Sequence, residues 1–90
     1  MPTVQFTSNL KRFYPDLKET SVKAGTIAQL VDEVNKFFPG IKNYIVDDQN
    51  TLRDHVNIFI NENMILDRIG LGDNIAAQDR IFIMQALSGG

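Results

Sequence analysis

The chain of 90 residues contains no cysteine and a single histidine, His55. Without thiols it can form no disulfide and offer no thiolate to a metal, and no side chain can carry a thioester or a persulfide. The serine-centred turn Gly-x-Ser-x-Gly is also missing, so no pair of nucleophile and general base can be named. We therefore expect a protein that is not an enzyme. If it carries an activated group, that group has to be held by the C-terminus.

The sequence also lacks the marks of membrane, secreted and nucleotide-binding proteins. No apolar run approaches the roughly 20 residues that span a bilayer, and the first ten residues hold no secretory signal. We expect a cytoplasmic protein with no membrane partner. The net charge of −2, without any basic block, argues against a nucleic-acid partner. There is no glycine-rich, lysine-containing phosphate loop, and the pair Asp47-Asp48 is expected to be solvated, so this chain should bind no cofactor or metal.

The length suits one domain, residues 1–90, with residues 87–90 as an extended functional tail. Alternating polar and apolar residues predict strands at 3–7, 17–23, 56–60 and 80–86, and a short strand at Met64-Ile65. Residues 9–16 are predicted to be a hairpin connection. Residues 41–46 fit either a helical turn or a brief strand. In the last strand, Ile81 and Ile83 should point inward and Phe82 and Met84 outward.

One helix is predicted at about residues 26–38. Thr26 is a good N-cap, and Gln29 three residues later completes a capping-box pattern. The apolar side chains then fall on one stripe, and Pro39-Gly40 ends the helix. The members of the stripe are Ile27, Leu30, Val31, Val34 and Phe38. The expected fold is α+β: a mixed four- to five-stranded sheet packed on one main helix.

The sequence ends in Gly89-Gly90 after the last predicted strand. Two residues without Cβ give a thin backbone that can enter a narrow tunnel, and no turn has to be made there. A chemical use of the terminal carboxylate is therefore one interpretation. The other is an unstructured end or an engineered remnant.

The whole chain resembles the small sulfur-carrier proteins of the ubiquitin-like β-grasp superfamily, which serve thiamine, molybdopterin and cysteine biosynthesis. The resemblance rests on Val56-Asn57-Ile58-Phe59-Ile60-Asn61, on Gly72-Asp73 with Asp79-Arg80-Ile81, and on the tail Ala86-Leu87-Ser88-Gly89-Gly90. Ubiquitin has an arginine before its two glycines, whereas this chain has Leu87-Ser88. Ubiquitin's own conjugating machinery is thus a poor match.

The resemblance implies a co-substrate rather than a catalyst. A ubiquitin-activating-enzyme-like adenylyltransferase would use ATP to adenylate the Gly90 carboxylate, a sulfur donor would convert it to a thiocarboxylate, and a biosynthetic synthase would receive the sulfur. The chain could then be a molybdopterin synthase small subunit or a thiamine- or cysteine-type carrier. Gly89 and Gly90 are the reactive end, with Leu87 and Ser88 as partner contacts. Two alternatives stay open: a modifier conjugated through Gly90 to lysines, and a non-covalent β-grasp adaptor.

A docking surface is also predicted. Phe59, Phe82 and Met84 should share the sheet face opposite the helix and form an apolar patch, which in a small protein often marks an interaction site. The alternative is that they are scattered, or covered by the loop from Asp47 to His55. Arg68 and Arg80 are expected to be solvated charges, with steering of an acidic partner as the other reading.

Overall fold

The computed structural model describes residues 1–85. Five strands form one mixed sheet in the order β2-β1-β5-β3-β4, in which β1 and β5 run parallel and the other neighbours run antiparallel. The elements in chain order are β1 Thr3–Phe6, α1 Ser8–Lys11, β2 Thr20–Ser21, α2 Ile27–Phe37, α3 Lys42–Ile45, β3 Val56–Ile60, β4 Asn63–Met64 and β5 Arg80–Gln85.

The centre of the sheet follows the alternation of its sequence. In β5, Ile81 and Ile83 are buried and Phe82 between them is only half-buried, in keeping with the predicted alternation. Their cross-strand partners include Val4 on β1 and Ile58 on β3, both fully buried. Burial of one face fixes the register, since a slip of one residue would turn every apolar side chain outward.

Helix α2 covers that buried face. The hydroxyl of Thr26 accepts a hydrogen bond from the backbone N–H of Gln29 at 3.2 Å, which is the first half of the predicted capping box. The Gln29 amide oxygen accepts from the N–H of Gly25 at 2.8 Å, so the return bond is made to the residue before the N-cap and not to Thr26 itself. Four members of the predicted stripe are buried: Ile27, Leu30, Val31 and Val34. The helix ends one residue earlier than predicted, and Phe38 is its half-buried C-cap, packed against Phe6 with ring centroids 6.3 Å apart.

The connection between β1 and β2 differs from the prediction. It contains the short helix α1, whose fully buried Leu10 anchors it to the core. The predicted strand at 17–23 is reduced to Thr20–Ser21, because the chain before it is folded into a turn: Leu17 N–H donates to the carbonyl of Tyr14, and the Thr20 hydroxyl donates to the carbonyl of Lys18.

Three other boundaries are also resolved. Residues 41–46 take the helical alternative, as α3. The short strand β4 is Asn63–Met64 rather than Met64-Ile65, since Ile60 pairs with Asn63. Strand β5 reaches Gln85, and Ala86, predicted as its last residue, lies outside the described residues.

Candidate functional site

The sheet face turned away from α2 carries a row of apolar side chains. Phe59 pairs directly with Phe82, and their ring centroids are 6.5 Å apart. Met84 lies on the same face, one pair further along β5, opposite Asn57. The prediction that these three side chains share a face is confirmed. All three are half-buried, so the patch is less exposed than the sequence suggested.

Met64 extends this row, and the sequence prediction missed it. Its partner across β3 and β4 is Phe59, so it lies on the same face, and its exposed fraction is 48%. The turn before it consists of Asn61 and Glu62, with Asn61 at a positive φ of 58°. Because the turn has two residues, Asn63 pairs with Ile60 and Met64 with Phe59, which places Met64 on the face of Phe59. We call Met64, Phe59, Phe82 and Met84 the apolar stripe.

Asn61, Asp79 and Arg80 lie at one end of the stripe and are joined by hydrogen bonds. The Asn61 side-chain amide donates to the Asp79 carboxylate at 3.1 Å, and its oxygen accepts from the backbone N–H of Arg80 at 3.1 Å. The N–H of Ala76, and then the Asn61 amide, lower the pKa of Asp79. These contacts hold the β3–β4 turn against the start of β5. Asn61 therefore positions the edge of the stripe.

The two arginines near the stripe have different environments. Arg80 is exposed and borders an open depression of about 530 Å³ beside Phe82 and Glu62. Arg68 is half-buried, and its guanidinium donates to the Asn57 side chain at 2.8 Å and to the carbonyls of Arg53 at 2.9 Å and Val56 at 3.0 Å. The expectation that Arg68 is a solvated charge was wrong: it ties the loop after β4 to the start of β3.

A second apolar surface, also unpredicted, lies on the loop after β4. Leu66 is 92% and Ile69 75% exposed. Asp67 accepts hydrogen bonds from the N–H groups of Gly70 at 2.8 Å, Gly72 at 3.0 Å and Ile69 at 3.2 Å, which lower the pKa of its carboxyl. Asp73 accepts two more, from Leu66 and Asp67. Loop residues with such side-chain bracing give no periodic signal in a sequence.

The predicted reactive end, Gly89 and Gly90, lies outside the described residues, as do Leu87 and Ser88. The chain approaches them through β5, whose last described residue is Gln85. Within residues 1–85, no three or more histidine, aspartate and glutamate side chains are grouped so as to hold a metal ion. In the same range, no helix is long and apolar enough to cross a membrane.

Comparison with known proteins gives the family. The model of the ThiS family matches residues 4–90. A chain of the Amycolatopsis orientalis BexX/CysO complex superposes with a TM-score of 0.84 at 25% identity, over 100% of both chains. Mycobacterium tuberculosis CysO gives 0.83 at 24% identity over 97% of this chain and 100% of that one, and SAMP1 from Haloferax volcanii gives 0.77 at 21% over 99% and 98%. No match was found among curated protein sequences.

These likenesses confirm the predicted ubiquitin-like β-grasp fold. Small carriers of the ThiS and CysO type are generally not catalytic. Since the family model covers nearly the whole sequence, this chain belongs to the ThiS family of ubiquitin-like β-grasp proteins and is a sulfur carrier or ubiquitin-like modifier.

Proposed function

We propose that this protein is a sulfur carrier whose Gly90 carboxylate is adenylated by a partner enzyme and converted to a thiocarboxylate. The observation that carries the proposal is the match to the ThiS family over residues 4–90, which includes the terminal Gly89-Gly90. The absence of cysteine from the sequence supports it, because sulfur held covalently by this chain then has to be held at the terminus.

The chemistry requires an activating step. A terminal carboxylate with a pKa of roughly 3.3 to 3.7 is ionised at pH 7 and is a poor electrophile. Attack of its oxygen on the α-phosphate of ATP expels pyrophosphate and gives an acyl-adenylate. Sulfide then attacks the acyl carbon, and AMP leaves with that oxygen. The sequence has no phosphate loop, so ATP would be bound by a ubiquitin-activating-enzyme-like adenylyltransferase and no cofactor by this chain.

The two glycines suit that step. A Cβ at either position would make the chain wider. It would then collide with the walls of the partner's site, which have to be close enough to hold the carboxylate against the phosphate. Ordering a tail costs about 1 to 2 kcal/mol per residue, which docking of the folded domain has to offset. The apolar stripe supplies such a docking surface: its rings Phe59 and Phe82 are already packed against each other, so few side-chain rotamers are lost on binding.

The partner set follows from the same chemistry. An activating enzyme, a sulfur donor and a biosynthetic synthase each have to reach Gly90 in turn. The Amycolatopsis orientalis chain similar to this one was solved in a BexX/CysO complex, which supports a partner enzyme here as well. We place the cysteine type of pathway before the molybdopterin and thiamine types, because the CysO structures align with this chain over their full length.

An activation assay tests the proposal. The protein would be incubated with the adenylyltransferase from the same organism, ATP and sulfide, and its intact mass measured. We expect AMP release and a mass gain equal to the exchange of one oxygen for one sulfur. A variant lacking Gly90 is the matched control: it should keep its circular dichroism spectrum and melting temperature but release no AMP.

The same experiment separates the alternatives. If AMP is released and the protein instead appears in amide linkage to lysines of added acceptor proteins, it is a modifier and the sulfur-carrier proposal is wrong. If the variant without Gly90 supports the pathway as well as the full chain, the protein acts as a non-covalent adaptor, and activation of the terminus has no role.

A further inference from the structure

Gln85, in the last strand before the predicted tail, is held in place by contacts that the ordinary sheet ladder does not supply. Strand β5 keeps its antiparallel neighbour up to Gln85, because Val56, the first residue of β3, pairs with Gln85. Its parallel neighbour β1 ends earlier, at Phe6, opposite Ile83. Beyond β1 the backbone turns into α1. At Gln85, β5 is therefore still paired with β3, whereas its parallel neighbour β1 has already left the sheet.

Thr7 makes up for that departure. Its N–H donates to the carbonyl of Ile83 at 3.2 Å, which continues the ladder between the parallel strands. In a regular parallel ladder its carbonyl would next accept from Gln85 N–H. That carbonyl instead accepts from Leu10 N–H at 3.3 Å, as the chain enters α1. The Thr7 hydroxyl takes its place and accepts from Gln85 N–H at 3.2 Å.

His55, the residue before β3, contacts the side chain of Gln85. The Nε2 atoms of His55 and Gln85 are 3.4 Å apart, and both residues are half-buried. Gln85 is thus fixed through its backbone by the residue after β1 and through its side chain by the residue before β3. The lone histidine and the hydroxyl of Thr7 have no other part in the proposed activation chemistry.

We propose that Thr7 and His55 are positioning residues for Gly90: by clamping Gln85, they fix the point from which the tail leaves relative to the apolar stripe. This inference rests on the proposed function. Met84, in the stripe, is the immediate neighbour of Gln85, so a partner docked on the stripe meets the tail at a set place. From Gln85, five residues reach at most about 17 Å, so the location of their origin decides which pocket Gly90 can enter.

Without the clamp, Gln85 would have to be ordered each time Gly90 enters the partner's site. The added cost is of the order of fixing the backbone of one residue, which corresponds to about a tenfold fall in productive activation. The loss should appear in kcat rather than KM, since the docking stripe is unchanged and only the fraction of docked complexes with a correctly placed carboxylate falls.

Thr7→Val removes the hydroxyl at nearly constant shape, and Thr7→Ser keeps it. Thr3→Val is the matched control, at the opposite end of β1 from Thr7: the Thr3 hydroxyl lies 3.4 Å from that of Ser21. His55→Phe keeps a ring and removes the polar contact. For each variant, kcat and KM of ATP-dependent activation by the adenylyltransferase of the same organism would be measured, together with hydrogen exchange of the Gln85 and Ile58 amides.

For Thr7→Val we expect kcat lowered about tenfold, KM within about twofold of wild type, and faster exchange at Gln85 with no change at Ile58. His55→Phe should lower kcat in the same direction, while Thr7→Ser and Thr3→Val should behave as wild type. Unchanged kcat in Thr7→Val despite faster exchange at Gln85 would overturn the clamp, and so would equal losses in Thr7→Val and Thr3→Val. If wild-type protein is not activated, the proposed function itself fails and the clamp with it.

Discussion

Truncation of Arg68 tests whether this side chain ties the loop after β4 to the start of β3. Its guanidinium makes three hydrogen bonds of 2.8 to 3.0 Å, two of them to backbone carbonyls just before and at the start of β3. A hydrogen bond to a charged group contributes about 1.5 to 3 kcal/mol. Because Arg68 is only half-buried, its acceptors can regain water after truncation. We therefore expect Arg68→Ala to lower the free energy of unfolding by about 2 kcal/mol, roughly the worth of one such bond.

For a domain of this size, a loss of that magnitude lowers the melting temperature by about 8 to 16 °C. Arg68→Lys keeps the charge, but a compact ammonium cannot reach three acceptors in the geometry of the planar fork, so it should recover less than half of the loss. Arg12→Ala, at an exposed position, is the control and should stay within about 0.5 kcal/mol of wild type.

The measurement is urea unfolding followed by far-ultraviolet circular dichroism, with the slope m compared between variants. A shift in midpoint at constant m reports stability alone. If Arg68→Ala unfolds at the same urea concentration as wild type and Arg12→Ala, then the three hydrogen bonds contribute nothing net, and the assignment of Arg68 as the tie between the loop and β3 is refuted.

Three further predictions concern the core, the helix cap and acid stability. Leu30→Ala should cost about 2 to 5 kcal/mol in urea unfolding because Leu30 lies fully buried on the core-facing side of α2, and a loss below about 1 kcal/mol would contradict that packing. Thr26→Ala should cost about 1 kcal/mol, whereas Thr26→Ser should be nearly neutral; equal losses in both would rule out the hydroxyl cap. The folded-state pKa of Asp67 and of Asp79 is lowered, so their contribution is complete above the unfolded pKa of about 3.9 and is lost as pH falls through the folded values. Asp67→Asn should therefore flatten the decline of melting temperature below about pH 4, and a decline as steep as in wild type would contradict this linkage.

The sequence predicted those elements in which apolar residues recur at one regular spacing and one face of the element is buried. Helix α2 has both a capped start and a stripe, and Val56–Ile60 alternates without interruption, so the first was placed to within a residue at each end and the second at its observed bounds. Helix α1 has only four residues, too few to show a period. Its position depends on the burial of Leu10, a tertiary contact.

The candidate site was predicted in part for the same reason. Alternation places Phe59, Phe82 and Met84 on one face. Their exposure depends on how the rings pack across neighbouring strands, and the sequence of one strand does not contain that information. The role of Arg68 depends on carbonyls that lie 12 and 15 residues away in the sequence. The role of Thr7 follows from two hydrogen bonds taken together. Its carbonyl accepts from Leu10 N–H in α1, so its hydroxyl accepts from Gln85 N–H instead.

If Gly90 carries activated sulfur, the mass of the C-terminal peptide shows it in protein isolated from the cells that produce it. We expect a population in which one oxygen of the Gly90 carboxyl group is replaced by sulfur, and we expect this population to increase when the sulfur acceptor is withheld. A terminus that remains an ordinary carboxylate under those conditions, or a chain that continues beyond Gly90 without being processed, would contradict it.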